Sequence, residues 1–87
     1  MHTNPSTAAA AAAVAAVVKE HLRNAGLSES EASRQTGIPV STLNRRVSGA
    51  LPGFNMMEIF PLASLLGADA SDLLRQAEAR LSGLDAA

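Results

Sequence analysis

The 87-residue chain contains no cysteine, no tryptophan and no tyrosine. Without cysteine there is no disulfide, no thiolate zinc site and no cysteine nucleophile, a lack that suits a cytosolic protein. Aromatic residues are confined to Phe54 and Phe60, so the core has to be assembled from Leu, Ile, Val, Ala and Met. His2 and His21 are far apart and form no HxxxH or HExxH spacing, which leaves no expectation of a metal site. No apolar run reaches membrane length. Ala8 to Val18 is apolar throughout, but as a helix it would extend about 16 Å against a hydrocarbon core of roughly 30 Å. No Lys or Arg precedes it, which argues against a secretory signal. A serine on a strand-turn-helix elbow and a glycine-rich phosphate loop are also missing. These absences point to a non-enzymatic protein of the cytoplasm, with no cofactor, membrane or small-molecule ligand.

Excess charge is lacking too. The formal net charge is −1, which taken alone argues mildly against a nucleic-acid partner. Its distribution says more than its sum. From Arg34 to Ser48 there are three Arg and no acid, whereas Leu51 to Ala87 holds five acids against Arg75 and Arg80. One end is therefore basic and the other acidic.

What is present is helical. Asn4 as cap and Pro5 at the first position start a first helix that runs to about Asn24, with Gly26 just beyond its end. Val14, Val18, Leu22 and Ala25 recur at helical spacing and should face the core. The alanine tract, built from the best helix former, reads either as a solvated extension or as a face packed against another chain. Ser28 and Glu31 form a capping box for a second helix over 29–36, and Gly37 supplies a left-handed turn. A third helix begins at Pro39 or Val40 and ends at Gly49. It has Leu43 and Val47 inward and Ser41, Asn44, Arg45 and Ser48 on the other side. Asn55 and Glu58 cap a fourth helix, closed by Gly67, with Ile59, Leu62, Ala63 and Leu66 inward and Pro61 expected to bend it or make its first turn irregular. Asp69 caps a fifth helix to about Ser82, and Gly83 ends it. The expected organisation is a flexible N-terminus over 1–7, one domain over 8–82 with the helix-turn-helix at 28–49, and a flexible tail over 83–87.

The motifs Gly26-Leu27-Ser28, Gly37, Ser41-Thr42-Leu43, Gly49, Leu65-Leu66-Gly67 and Asp72-Leu73-Leu74 occur in an order and spacing that resembles the lambda-repressor-like (XRE) helix-turn-helix family over roughly residues 14–81. The piece from Ser41 to Gly49 is similar to small actinobacterial and phage regulators, and the whole resembles a Cro-type regulator or a bare repressor headpiece. The resemblance implies an all-α, compact five-helix fold whose third helix enters the major groove of a double-stranded DNA operator. It places Val40, Ser41, Asn44 and Arg45 at base edges and Ser28, Ser48 and Asn55 at the phosphate backbone. Three residues depart from the pattern. Glu29 stands where relatives carry Gln, Arg46 where they bury an aliphatic residue, and Ser33 where they have Ala.

Each signal also has a plainer reading. Arg45 can give two hydrogen bonds to guanine or be a solvated surface charge. Asn44 can pair with adenine, a phosphate or water. Val40 can touch a thymine methyl, or Val40 and Ser41 can simply start a helix. Ser28 and Asn55 are caps first, and a phosphate at a helix N-terminus is their second use. Arg46 is expected to lay its methylenes over Leu43 or the second helix with its head near phosphate. Arg34 is expected to be a surface charge. Phe54, Met56 and Met57 are expected in the core, with a dimer contact as the sharper alternative. A homodimer on two half-sites would use the fifth helix, with Leu74 and Leu81 exposed, or the alanine-rich first helix. A monomer on an asymmetric site is the other arrangement. The function expected is sequence-specific transcriptional regulation, and the rival is a helical protein-protein interaction module that keeps the fold without binding DNA.

Overall fold

The computed structural model describes residues 6–86, and side-chain surroundings through residue 83. Five α-helices follow one another, α1 (Thr7–Asn24), α2 (Glu29–Thr36), α3 (Val40–Val47), α4 (Met56–Leu66) and α5 (Ala70–Ala86), with no strand among the described residues. The fold is all-α with a helix-turn-helix, as expected. α1 lies along α5 and also touches α3 and α4, while α2 packs on α3 and α4. The core where they meet is aliphatic: Val17, Val18, Leu22, Leu43, Ile59, Leu62 and Leu73 are all buried.

The ends of α1 differ from expectation. Ser6 is the N-cap, its side chain accepting from Ala9 N at 3.0 Å; Asn4 and Pro5 lie outside the described residues. A hydroxyl in extended backbone satisfies a free amide of the first turn. Ala25 is exposed because it is the C-cap and has already left the helical stripe. Val18 and Leu22 are buried as the spacing requires, and Val14 packs partly against the core.

The alanine tract is packed along one side and open on the other, with Ala8 and Ala12 exposed. Ala11, Ala13 and Ala15 are buried, and the tract meets the loop between α3 and α4. A Cβ placed on Gly53 would stand 3.0 Å from the Ala11 Cβ, and one on Gly49 would stand 3.6 Å from the Ala12 Cα. The two backbones approach so closely that small residues are needed on both sides. Ala11→Leu should therefore overpack this contact and lower stability by about 2 kcal/mol. Ala8→Leu, at an exposed position of the same helix, should leave the melting curve in place, and equal effects at the two sites would refute the close-packing account.

In α4 the Asn55–Glu58 capping box is complete, and the helix continues unbroken through Pro61 to Leu66, with Gly67 left-handed after it. Ile59, Leu62 and Ala63 are buried, while Leu66 is only partly so. α5 does not stop at Gly83 but runs to Ala86. Gly83 lacks the positive φ that Gly26, Gly37, Gly49, Gly53 and Gly67 adopt, so it continues the helix where they end or turn the chain. Met56 and Met57 do not join the core; they are exposed, and only Phe54 is partly covered. Leu74 is exposed and Leu81 half-buried.

Candidate nucleic-acid interface

The turn between α2 and α3 is held from three sides. Gly37 adopts φ 82°, a conformation that costs a side-chain-bearing residue about 1 kcal/mol or more. The Thr36 hydroxyl donates to the Ala32 carbonyl at 2.7 Å and accepts from Ile38 N at 3.2 Å. The Ser33 hydroxyl donates to the Ile38 carbonyl at 2.5 Å. Ser33, the departure from the usual Ala, thus ties the turn down, while Ala32 is fully buried and lets the two helices close on each other. Ile38 is buried beneath the turn.

At the start of α2 the Ser28 side chain accepts from Glu31 N at 3.1 Å. The reciprocal half of the expected capping box is not made, because the Glu31 carboxylate pairs with Arg34 instead. A side chain one turn along offers the carboxylate a charged partner, which wins over the neutral backbone amide.

α3 shows the two faces that its spacing implies. Leu43 is fully buried and Val47 nearly so, while Val40, Ser41, Asn44, Arg45 and Ser48 are exposed. Ser48 turns its hydroxyl to the Arg45 carbonyl at 2.6 Å. Asn44 is not free-standing: its Nδ2 donates to the Glu29 carboxylate at 2.9 Å, bridging α3 to the start of α2. Asn55 remains exposed, its side chain accepting from Glu58 N at 3.0 Å.

Arg46 is placed differently from the expectation. Its guanidinium points to α4, with Nε 3.0 Å and Nη2 3.3 Å from the two oxygens of Glu58. Only 11% of the Arg46 side chain and 12% of the Glu58 side chain stay exposed. The stem is packed as anticipated, but the head has a carboxylate partner instead of facing outward. This pair fixes α3 against the N-terminus of α4.

Pairing decides which cations are left. Of the seven Lys and Arg, Arg34, Arg46, Arg75 and Arg80 each hold a carboxylate, of Glu31, Glu58, Asp72 and Glu20 respectively. Among the described residues Lys19, Arg23 and Arg45 have no such partner. Lys19 and Arg23, one helical turn apart on α1, line a shallow cleft with Ser28, Glu29 and Val47. Sequence reading passed over these two cations. Their spacing on one face of α1 was visible, but their position beside the helix-turn-helix is a product of the fold.

Other chemistry finds little support. No group of three His, Cys, Asp or Glu capable of holding a metal occurs among the described residues. His21 is engaged with Gln76, Nε2 to Oε1 at 2.9 Å, and His2 lies outside the described residues. No described helix is long and apolar enough to cross a membrane.

A family model described as helix-turn-helix, Psq domain, matches residues 8–52. That segment takes in almost all of α1, both helices of the motif and the start of the following loop. Neither a curated protein nor a solved structure matches the chain. With a left-handed turn at Gly37 over a buried Ile38, an inward face of Leu43 and Val47, and a polar outward face on α3, the chain belongs to the helix-turn-helix, Psq domain family.

Proposed function

We propose that the protein is a sequence-specific regulator of transcription that binds double-stranded DNA through α3 in the major groove, of the Cro or repressor type found in XRE regulators of phages and actinobacteria. The observation that carries this reading is Arg45: exposed, without an ionic partner, and on the outward side of a helix whose other side is sealed by Leu43 and Val47. A free guanidinium presents paired donors to guanine O6 and N7. Val40, Ser41 and Asn44 are the neighbouring base-facing positions, and Ser28, Ser48 and Asn55 the backbone-facing ones. Lys19 and Arg23 join the backbone set, because they are unpaired and share the cleft with Ser28. Arg46 acts behind the helix as its anchor. In this reading residues 8–82 form the DNA-binding domain, and the protein works in the cytoplasm, with two copies binding a two-part operator more tightly than one.

Mobility-shift measurements on duplex DNA at several salt concentrations test the proposal. With Lys19 and Arg23 as the free backbone cations, log K should fall against log salt with a slope of about −2 per bound domain. Arg45→Ala should reduce discrimination between cognate and random DNA by about 2 kcal/mol, roughly 30-fold, with little change in the salt slope. No binding to any duplex at low salt would turn the assignment to the rival protein-protein module.

A further inference from the structure

We propose that Glu29 is a positioning residue that orients the Asn44 amide as an adenine reader, an inference that rests on the DNA-binding reading above. Glu29 is the first residue of α2, half-buried beside the outward face of α3. A carboxylate at the opening of a helix suits the helix dipole, yet on a phosphate-facing surface it repels the ligand. Its compensating role is the 2.9 Å hydrogen bond it accepts from Asn44 Nδ2.

The chemistry of the two groups makes this bond directional. An ionised carboxylate only accepts, so of the two ends of a primary amide only the NH2 can face it. Glu29 therefore fixes which branch of Asn44 is nitrogen and which is oxygen. One N–H is spent on Glu29. The amide keeps its other N–H and its carbonyl oxygen, one donor and one acceptor. Adenine shows the complementary pair in the major groove, an acceptor at N7 and a donor at N6, whereas guanine shows two acceptors there. Asn44 held in this way favours adenine, next to Arg45, whose paired donors favour guanine. The bond also restrains a short, mobile side chain before DNA arrives, so less ordering remains at the moment of binding.

Selection from a randomised duplex pool tests the proposal, using the wild type, Glu29→Gln, Asn44→Ala and the double variant, each first shown to melt like the wild type. The wild-type consensus should contain one adenine position that Asn44→Ala erases. Glu29→Gln should weaken preference at that same position by about tenfold, the scale of one good base contact, because glutamine can meet Asn44 with either end of its amide. Overall affinity should meanwhile rise by about threefold, as expected for removing one partly exposed repulsive charge. In the Asn44→Ala background, Glu29→Gln should change affinity and leave every base preference alone. Affinity gained with adenine preference intact would reduce Glu29 to a repelling charge and overturn the proposal, as would a consensus that Asn44→Ala leaves unaltered. Failure of the wild type to bind any duplex is a different result and removes the DNA-binding reading itself.

Discussion

Leu43→Ala is expected to lower the stability of the protein by about 4 kcal/mol, towards the upper part of the range for such truncations in cores. Leu43 is completely buried at the point where α3 enters the aliphatic core, with Val47 one turn further on. α3 is only eight residues long and has no side-chain cap at its start. A helix that short is not stable by itself, so packing of its inner face is what holds it. A domain of this size has a total stability of the order of 4–13 kcal/mol, so the loss amounts to between about a third and the whole of it. Urea denaturation monitored by circular dichroism gives the value directly. Amide exchange should show α3 opening more readily, alongside the drop in global stability. A loss below about 1 kcal/mol would mean that the core closes over the missing atoms, and the anchoring role of Leu43 would fall.

Glu58→Ala is expected to cost about 3 kcal/mol, the low end for removing one partner of a buried ion pair, and to lower the melting temperature by about 15 °C. Three hydrogen bonds end on this carboxylate: from Arg46 Nε, from Arg46 Nη2, and from Asn55 N at 3.1 Å. Truncation strands a guanidinium that is almost fully covered and opens the capping box of α4 at the same time. The low end of the range applies because both side chains keep slight solvent contact. Replacing both partners, Arg46→Met with Glu58→Met, should recover much of the loss, since two apolar groups leave no charge unpaired. Thermal melts of the single and double variants provide the check. If the double variant is no more stable than Glu58→Ala, the penalty belongs to the cap and the ion pair contributes little.

The parts of this structure that were legible in the sequence are those governed by neighbours a turn or less away. Ser28 and Asn55 cap their helices, Gly37 turns the chain, and Leu43 and Val47 face inward because these roles depend on local backbone chemistry and on a 3.6-residue period. Alanine carries almost no signal in such a reading. Ala11 and Ala12 belong to a close backbone contact only because Gly49 and Gly53 come to meet them from a loop some 40 residues on. The ionic arrangement was equally hidden. Arg46 finds Glu58 across 12 positions and Asn44 finds Glu29 across 15, and no periodicity encodes such partners. Which cations remain for a polyanion follows from those pairings, so Lys19 and Arg23 entered the candidate interface only once the fold was known. Gly83 misled for the opposite reason: glycine ends a helix when it takes a left-handed φ, and this one does not.

The aliphatic core does not respect the limits of the family segment. Residues 8–52 supply Val17, Val18, Leu22, Leu43 and Val47, but Ile59, Leu62, Leu73 and Ala77 press on the same interior from outside that segment. Dissecting the chain down to the matched residues would strip away one wall of the chamber and leave the inner faces of α1 and α3 open to water. It would also delete Glu58, the carboxylate that Arg46 needs. Any portable recognition unit cut from this protein has to carry its last two helices with it, although neither belongs to the motif proper.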